Sequence, residues 1–128
     1  MTKKTSSKSP RKQRRRIYKA PVHAHKNMLR CRLDEFLTEE YGLRSLVVKK
    51  GDLVRVMRGQ FRDTEGKVTA VDYSKVRVYV ESATTTKADG KEIPIPLHPS
   101  NLLIVQLELD AERKALIKKK VMTVAESE

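Results

Sequence analysis

Lys49-Lys50-Gly51-Asp52-Leu53-Val54-Arg55-Val56-Met57-Arg58-Gly59, continued by Glu65-Gly66-Lys67-Val68 and Val71-Asp72, decides how this chain folds. Val54 and Val56 alternate with Leu53, Arg55 and Met57, the two-residue period of a strand buried on one face. A loop carrying Arg58, Gln60, Phe61 and Arg62 follows, and then a second strand. Gly59 and Gly66 bracket that loop, where a residue without Cβ permits positive φ and lets backbone N–H groups approach another chain. Between 51 and 72, Arg55, Arg58, Arg62 and Lys67 balance Asp52, Asp63, Glu65 and Asp72. The segment therefore reads as a shaped loop that fixes orientation, and the main electrostatic anchor must lie elsewhere.

That anchor is upstream. The 128 residues suggest one domain with appendages, and a formal net charge of +12 with a pI near 10.0 points to a polyanionic partner. Lys3, Lys4, Lys8, Arg11, Lys12, Arg14, Arg15, Arg16, Lys19, Lys26, Arg30 and Arg32 all precede the first acidic residue, Asp34. From Asp34 onward basic and acidic residues are equal in number, so the whole net charge sits in the N-terminal segment. That segment is rich in Ser and Thr and too poor in apolar residues to fold alone. Pro10 and Pro21 oppose a continuous helix, so residues 1–26 read as an extended arm that orders on nucleic acid. A solvated idle tail and a mitochondrial presequence over the first 20 residues are the competing readings. No apolar run approaches the roughly 18 residues of a membrane span. No apolar core follows the basic start as in a secretory signal, so neither membrane insertion nor secretion is expected. Cys31 is the single cysteine, which excludes an intramolecular disulfide and fits a reducing compartment.

Downstream of the arm, Asp34 is placed to cap a short helix over residues 34–41. Leu33, Phe36 and Leu37 share a face of it, and Gly42 stops it. Residues 45–48 add a strand, 51–58 and 67–72 are the two strands of the opening segment, and Val76, Val78 and Val80 alternate with Arg77, Tyr79 and Glu81 in the clearest strand of all. Tyr73-Ser74 connects the last two as a hairpin. Thr84-Thr85-Thr86 and Glu92-Ile93 flank Asp89-Gly90, a two-residue hairpin signal. Pro94, Pro96 and Pro99 confine the return strand to an edge. Residues 102–109 form the last strand. Asp110 then caps a helix through about residue 119, with Lys118, Lys119 and Lys120 at its C-terminal dipole end and the last eight residues frayed. Five or six short strands with regular turn signals indicate a mainly β fold, a small β-barrel. The division is thus a basic arm over 1–32, a short helix within 33–44, a barrel over 45–109 with its hairpin at 84–97, and a helix and tail over 110–128.

Enzyme chemistry finds little support. His98 and Ser100 stand two residues apart but specify no nucleophile–base geometry, and His98-Pro99-Ser100-Asn101 reads as a turn. His23, His25 and Cys31 offer three metal ligands where a structural zinc site takes four, so no metal or cofactor is expected. No Gly-rich loop opens a helix with Lys-Ser/Thr, so a nucleotide site is unsupported. Nucleic-acid binding has converging parts. Arg11, Arg14, Arg15 and Arg16 supply guanidinium forks for phosphate, joined by Lys12, Lys19, Lys26, Arg30 and Arg32. Tyr18, His23 and His25 offer stacking faces or hydrogen bonds to unpaired bases. A second set comprises Lys49, Lys50, Arg58, Gly59, Gln60, Phe61, Arg62, Gly66, Lys67 and His98. For Phe61 a hydrophobic plug under the loop competes equally with stacking. Glu35, Glu39 and Glu40 turn the helix face away from phosphate.

Residues 49–72 resemble the KOW motif, a short element of ribosomal proteins and transcription elongation factors. Ser9-Pro10-Arg11-Lys12-Gln13-Arg14, Tyr18-Lys19-Ala20-Pro21, Tyr41-Gly42-Leu43-Arg44-Ser45, Lys87-Ala88-Asp89-Gly90 and His98-Pro99-Ser100-Asn101 extend the likeness. The whole resembles the large-subunit ribosomal protein twenty-four family, in its archaeal and eukaryotic branch, also numbered twenty-six. One departure is the stretch before the helix, where family members often carry Ser-Ala-Pro-Leu-Ser and this chain reads Cys31-Arg32-Leu33-Asp34, a shortened form. The resemblance implies an SH3-like barrel on the 5′ domain of large-subunit rRNA beside the polypeptide exit tunnel, and a role in subunit assembly. It implies neighbouring ribosomal proteins and nascent-chain targeting factors as partners and no homo-oligomer. It also implies a place in the cytoplasmic ribosome, with nucleolar assembly if the source is eukaryotic, and it reserves the hairpin tip at 87–91 for the tunnel mouth.

A structural rRNA-binding protein without catalytic activity is the first functional expectation. The alternative is a KOW-type elongation regulator contacting polymerase, but such proteins pair the motif with an α/β domain for which the basic, Pro-interrupted N-terminal stretch leaves no room. Val76, Val78 and Val80 are expected to face inward, so that Val78→Asp unfolds the barrel.

Overall fold

Period-two valines, capped helix starts and Pro-bounded segments set the elements of a computed structural model that describes residues 6–127. In chain order these are α1 (Pro10–Lys19), α2 (Val22–Met28), β1 (Arg30–Leu33), α3 (Glu35–Tyr41), β2 (Ser45–Val47), β3 (Leu53–Val56), β4 (Glu65–Asp72) and β5 (Arg77–Val80). Then follow β6 (Thr84–Thr86), β7 (Glu92–Pro94), a 3-10 turn (Pro99–Asn101), β8 (Leu102–Gln106) and α4 (Ala111–Ser127). Six strands form one sheet in the order β2-β1-β8-β3-β4-β5, and β6 with β7 forms a separate ribbon. Neighbours are antiparallel except β1 and β8, which run parallel with Arg32 opposite Leu103 and Leu33 opposite Ile104.

The expected barrel does not close: no ladder joins β2 to β5 among the described residues. The return segment after the ribbon shows why. Val78 N–H donates to Leu97 O at 2.8 Å, Leu97 N–H returns a bond to Val78 O at 2.9 Å, and Ile95 N–H reaches Ala83 O at 3.0 Å. Pro94 and Pro96 interrupt those donors and have no N–H themselves, so the segment shields the outer edge of β5 without extending the sheet. The ribbon's turn also differs from the expected two-residue form. Gly90 N–H donates to Lys87 O and Lys87 N–H to Lys91 O, at 2.9 and 2.8 Å, while Gly90 takes φ 90°. Ala88 and Asp89 are therefore the central pair, and Gly90 provides the bulge that matches strand twist.

Alternation fills the core. Cys31, Val54, Val56, Val78, Val80 and Ile104 are each at 0% exposure, with Leu33, Leu46, Val68 and Leu102 close behind. Each buried aliphatic side chain contributes about 1.5–3 kcal/mol, so this one sheet face dominates stability. Val76, Val78 and Val80 do point inward, although Val76 precedes the strand and sits at φ 55°, which a β-branched residue rarely adopts. Asp72 holds that turn: its Oδ1 accepts from Ser74 Oγ–H at 2.9 Å and Lys75 N–H at 3.2 Å, which keeps its carboxyl below the usual carboxylate range. Strain of about 1–3 kcal/mol is offset by the burial of Val76 itself.

Three expectations about the ends of the chain are corrected. Residues 10–19 and 22–28 are helices, not an extended arm. Pro10 occupies a first-turn position of α1 and Pro21 the N-cap of α2, places where a missing N–H costs nothing, so the prolines bound the helices instead of breaking one. The arm also ends before residue 32, because β1 pairs with both β2 and β8 inside the sheet. Lys3 and Lys4 lie outside the described residues. At the other end α4 runs to Ser127 instead of stopping near residue 119 and fraying. In α3, Asp34 caps as expected, accepting Glu35 N–H at 3.0 Å, but Phe36 is 72% exposed while Leu37 is buried and Tyr41 packs against the core.

An ion pair seats α4 on the sheet. Arg113 and Asp52 are 2% and 0% exposed, and two Arg113 nitrogens donate to the two Asp52 oxygens, Nη2 at 2.8 Å. Arg113 also donates to Val47 O at 3.0 Å and Glu108 O at 3.2 Å. Asp52 accepts Glu108 N–H at 2.9 Å and Lys49 N–H at 3.0 Å. Asp110 N-caps the helix through Arg113 N–H at 2.7 Å, as its sequence position suggests.

Candidate nucleic-acid interface

The expected cationic residues fall into two separate groups. α1 displays Arg11, Lys12, Arg14, Arg15, Arg16, Tyr18 and Lys19 on an element with no buried residue at all. α2 continues with exposed His23 and Lys26, and β1 adds Arg30 and Arg32 on its outer face. His23, Lys26, Arg30 and Lys49 line one groove of about 460 Å³, together with Lys120 from α4. Lys120 is half-buried there, and burial and the neighbouring Arg30 lower its pKa from the usual lysine value. Lys49 is already paired, its Nζ lying 3.1 Å from Asp110 Oδ2. Lys50 is exposed and borders a shallow groove with Tyr73.

The second group gathers at the β3–β4 loop. Met57 N–H donates to Asn101 O at 2.7 Å, which binds this loop to the 3-10 turn that His98 caps. Asp63, at φ 65°, closes the loop by donating its N–H to Val56 O at 2.8 Å. Arg58, Gly59, Gln60 and Arg62 are exposed on it. Gly59 takes φ 95° with open space around it, the conformation expected of a residue without Cβ. Arg62 lies 3.9 Å from Asp63 with both side chains mostly exposed, a pairing worth little. Arg55 is committed to Glu65, its Nε–H donating at 2.9 Å, which raises the guanidinium pKa. Lys67 is exposed on β4. His98 Nδ1 accepts Ser100 N–H at 3.2 Å and Ser100 Oγ–H at 2.7 Å, so the turn is stabilised by the histidine itself. Burial and Arg77 lower its pKa below the ordinary 6.5.

Three expected contact residues are placed for packing instead. His25 is 6% exposed and its Nε2–H donates to Ile17 O, joining α2 to α1. Its ring therefore cannot stack on a base or bind metal without opening that joint. Phe61 is half-buried against the core, which is the plug reading. Gly66 lies within β4 and not at a loop boundary. A Cβ there would stand 2.5 Å from Ser82 Oγ and 2.9 Å from Val80 Cγ1, so glycine is required by close strand packing. Among the described residues, no three His, Cys, Asp or Glu side chains are grouped to hold a metal ion. Burial pushes the Cys31 thiol up to about 12, with Asp52 adding to the rise. No helix among the described residues is long and apolar enough to cross a membrane.

Sequence reasoning missed Lys120 as a groove residue and Arg113 as a structural one. The signal was present in α4, where Arg113, Ile117 and Lys120 follow the four-then-three spacing of one helix face.

Fold and surface together define a small, strand-rich, formally neutral domain carrying a cationic helical arm. Over residues 7–120 the chain matches the ribosomal protein family that is numbered twenty-six in eukaryotes and twenty-four in archaea. It is 49% identical over 109 residues to the large ribosomal subunit protein uL24 of Methanosarcina barkeri, covering 85% of this chain and 94% of that one. The uL24 proteins of Methanosphaera stadtmanae and Korarchaeum cryptofilum are 47% and 43% identical, covering 84% and 94% of this chain and 92% of each relative. The chain belongs to this ribosomal protein family, whose members are structural proteins and not enzymes.

Proposed function

We propose that this protein is a structural constituent of the large ribosomal subunit that grips rRNA with its N-terminal helical arm and orients itself through the β3–β4 loop. One observation carries the reading. All the net charge lies before Asp34, and within residues 10–19 it is displayed on a helix that buries nothing. A ten-residue helix is marginal in water when tertiary packing does not support it, so α1 has most to gain from a partner that covers it. Phosphate is the partner for six clustered cations without a carboxylate. Arg58, Gln60 and Arg62 supply a second, weaker contact, with His98 beside them.

The family relationship supports the finer placement: the 5′ domain of large-subunit rRNA, near the polypeptide exit tunnel, with an SH3-like KOW module as the docking body and a role in subunit assembly. Neighbouring ribosomal proteins and nascent-chain targeting factors are the protein partners in this reading, and the ribosome of the cytoplasm is its location. The hairpin tip over 87–91 is exposed and available for the tunnel mouth. The elongation-regulator alternative has no observation in its favour.

Binding of the full chain to a 5′-domain rRNA fragment across a salt series tests the reading. About six phosphate contacts give a log K versus log salt slope near −4 for single-stranded segments. Arg14→Ala, Arg15→Ala and Arg16→Ala together should flatten that slope by about 2. Affinity indifferent to salt, or unchanged in the triple variant, refutes the assignment of the arm.

A further inference from the structure

A second groove, about 550 Å³, lies between the C-terminal half of α4 and the turn from α3 into β2. Its chemistry differs from that of the arm. Leu43 and Leu116 give it an apolar floor, while Arg30, Arg44, Lys119 and Lys120 stand around it. No acidic and no aromatic side chain lines it.

One wall is the outer edge of β2, which α4 covers at Val47 and leaves open at Ser45. Leu33 N–H donates to Arg44 O and Val48 N–H to Leu29 O, both at 3.0 Å, and Cys31 lies opposite Leu46 between them. Residues 44, 46 and 48 thus turn their main-chain groups toward β1, so Ser45 and Val47 turn theirs the other way. Val47 O receives Arg113 Nη2–H at 3.0 Å, which shows that this outer edge faces α4. Ser45 lines the groove, and its outward N–H and C=O have no partner among the described residues.

We propose that this groove seats an extended acidic segment of a neighbouring protein, added alongside β2. A strand with alternating side chains meets all three features at once. Its apolar face covers Leu43 and Leu116, its carboxylates meet the four cations, and its backbone bonds to Ser45. RNA meets only one of them: without an aromatic platform its bases have nothing to stack on, and its phosphates leave the apolar floor uncovered. The inference goes beyond the rRNA reading, because Arg44 and Lys119 belong to neither the arm nor the β3–β4 loop.

The test uses the full chain and a fluorescein-labelled synthetic peptide alternating Glu and Val, read by fluorescence anisotropy at physiological salt. A second peptide of equal charge carries Ser in place of every Val. The structure predicts saturable binding of the first peptide, at least about tenfold tighter than the second. It predicts a loss of about tenfold or more in the Arg44→Glu, Lys119→Glu double variant, through like-charge opposition. Both positions are exposed, so an unchanged thermal melt confirms that this variant folds. Unchanged peptide affinity in the arm triple variant separates this site from rRNA binding. Equal binding of the two peptides, or no saturation, overturns the proposal. So does a double variant that keeps the peptide but loses the rRNA fragment, which would assign the groove to RNA.

Discussion

Replacing Arg113 by Met tests whether α4 is held by the buried ion pair or only rests against the sheet. The substitution keeps most of the aliphatic volume and removes the guanidinium. Asp52 would remain at 0% exposure with two of its partners, the N–H groups of Lys49 and Glu108 at 3.0 and 2.9 Å. Val47 O would lose its side-chain donor, and Glu108 O likewise. Removing one member of a buried pair costs about 3–5 kcal/mol because the other charge is left uncompensated. The two surviving N–H bonds place this case toward the lower end. For a chain of 128 residues that loss lowers the melting temperature by roughly 10–15 °C. Far-UV circular dichroism through a thermal ramp, with a guanidinium titration to check that the slope is unchanged, measures it. The double variant Asp52→Leu, Arg113→Met should recover much of the stability, since a hydrophobic replacement of the whole pair removes the stranded charge. Arg113→Met as stable as the parent within about 0.5 kcal/mol, the range of ordinary surface changes, refutes the anchoring role. So does a double variant no better than the sum of its singles.

Gly66→Ala should destabilise by about 1–3 kcal/mol through overpacking against Ser82 and Val80, and Ser82→Gly should restore part of it; equal denaturation midpoints for Gly66→Ala and the parent would contradict this close packing. Cys31, buried with its thiol pushed up to about 12, should stay unreactive toward a disulfide reagent at neutral pH until denaturant is added, and prompt labelling of the native chain would show the strand to be open. His98 is neutral-favouring, so its contribution is present above the unfolded value of 6.5 and is lost as pH falls from there through the lowered folded value. An NMR titration midpoint at or above 6.5 would contradict this, and Arg77→Ala should move the midpoint upward. Val78→Asp should abolish the folded state, because a single unpaired carboxylate would replace a side chain of zero exposure in the sheet core; a native-like melt would refute the inward assignment.

Features set by neighbours in sequence are legible. The strands around Val54 and Val78, the caps at Asp34 and Asp110 and the stop at Gly42 all follow from local period or a single side-chain bond. Where charge and period disagree, charge misleads. Leu29, Cys31 and Leu33 alternate with Arg30 and Arg32 as clearly as the valines do, yet the absence of any acidic residue before Asp34 draws β1 into the arm. The prolines mislead similarly, because Pro10 and Pro21 look like helix breakers while occupying the positions where helices begin. What is not legible is long-range. Asp52 and Arg113 are 61 residues apart, and nothing local marks either as a partner of the other. Gly66 suggests loop flexibility in the sequence because its neighbour Ser82 is only brought to it by the pairing of β4 with β5.

The same contrast explains how one chain serves two electrostatic purposes. In the neutral domain, key cations are already committed: Arg113 to Asp52, Lys49 to Asp110 and Arg55 to Glu65. The buried first pair fixes the position of α4, the two exposed pairs add little stability, and all three leave little field to attract a distant polyanion. The arm has the opposite composition, with no carboxylate before Asp34. It is joined to the domain through the Ala20-Pro21 elbow and the buried His25, which donates to Ile17 O and so holds the C-terminal turn of α1 against α2. A joint at one end aims the helix while leaving its cations exposed along its length. On the proposed rRNA reading, holding α1 as one helix gains nothing from apolar burial, so the cost of any fraying of it in the free chain would fall on the binding step. The arm's affinity should then be smaller than its number of cations alone implies, and most sensitive to the salt that competes for the same phosphates.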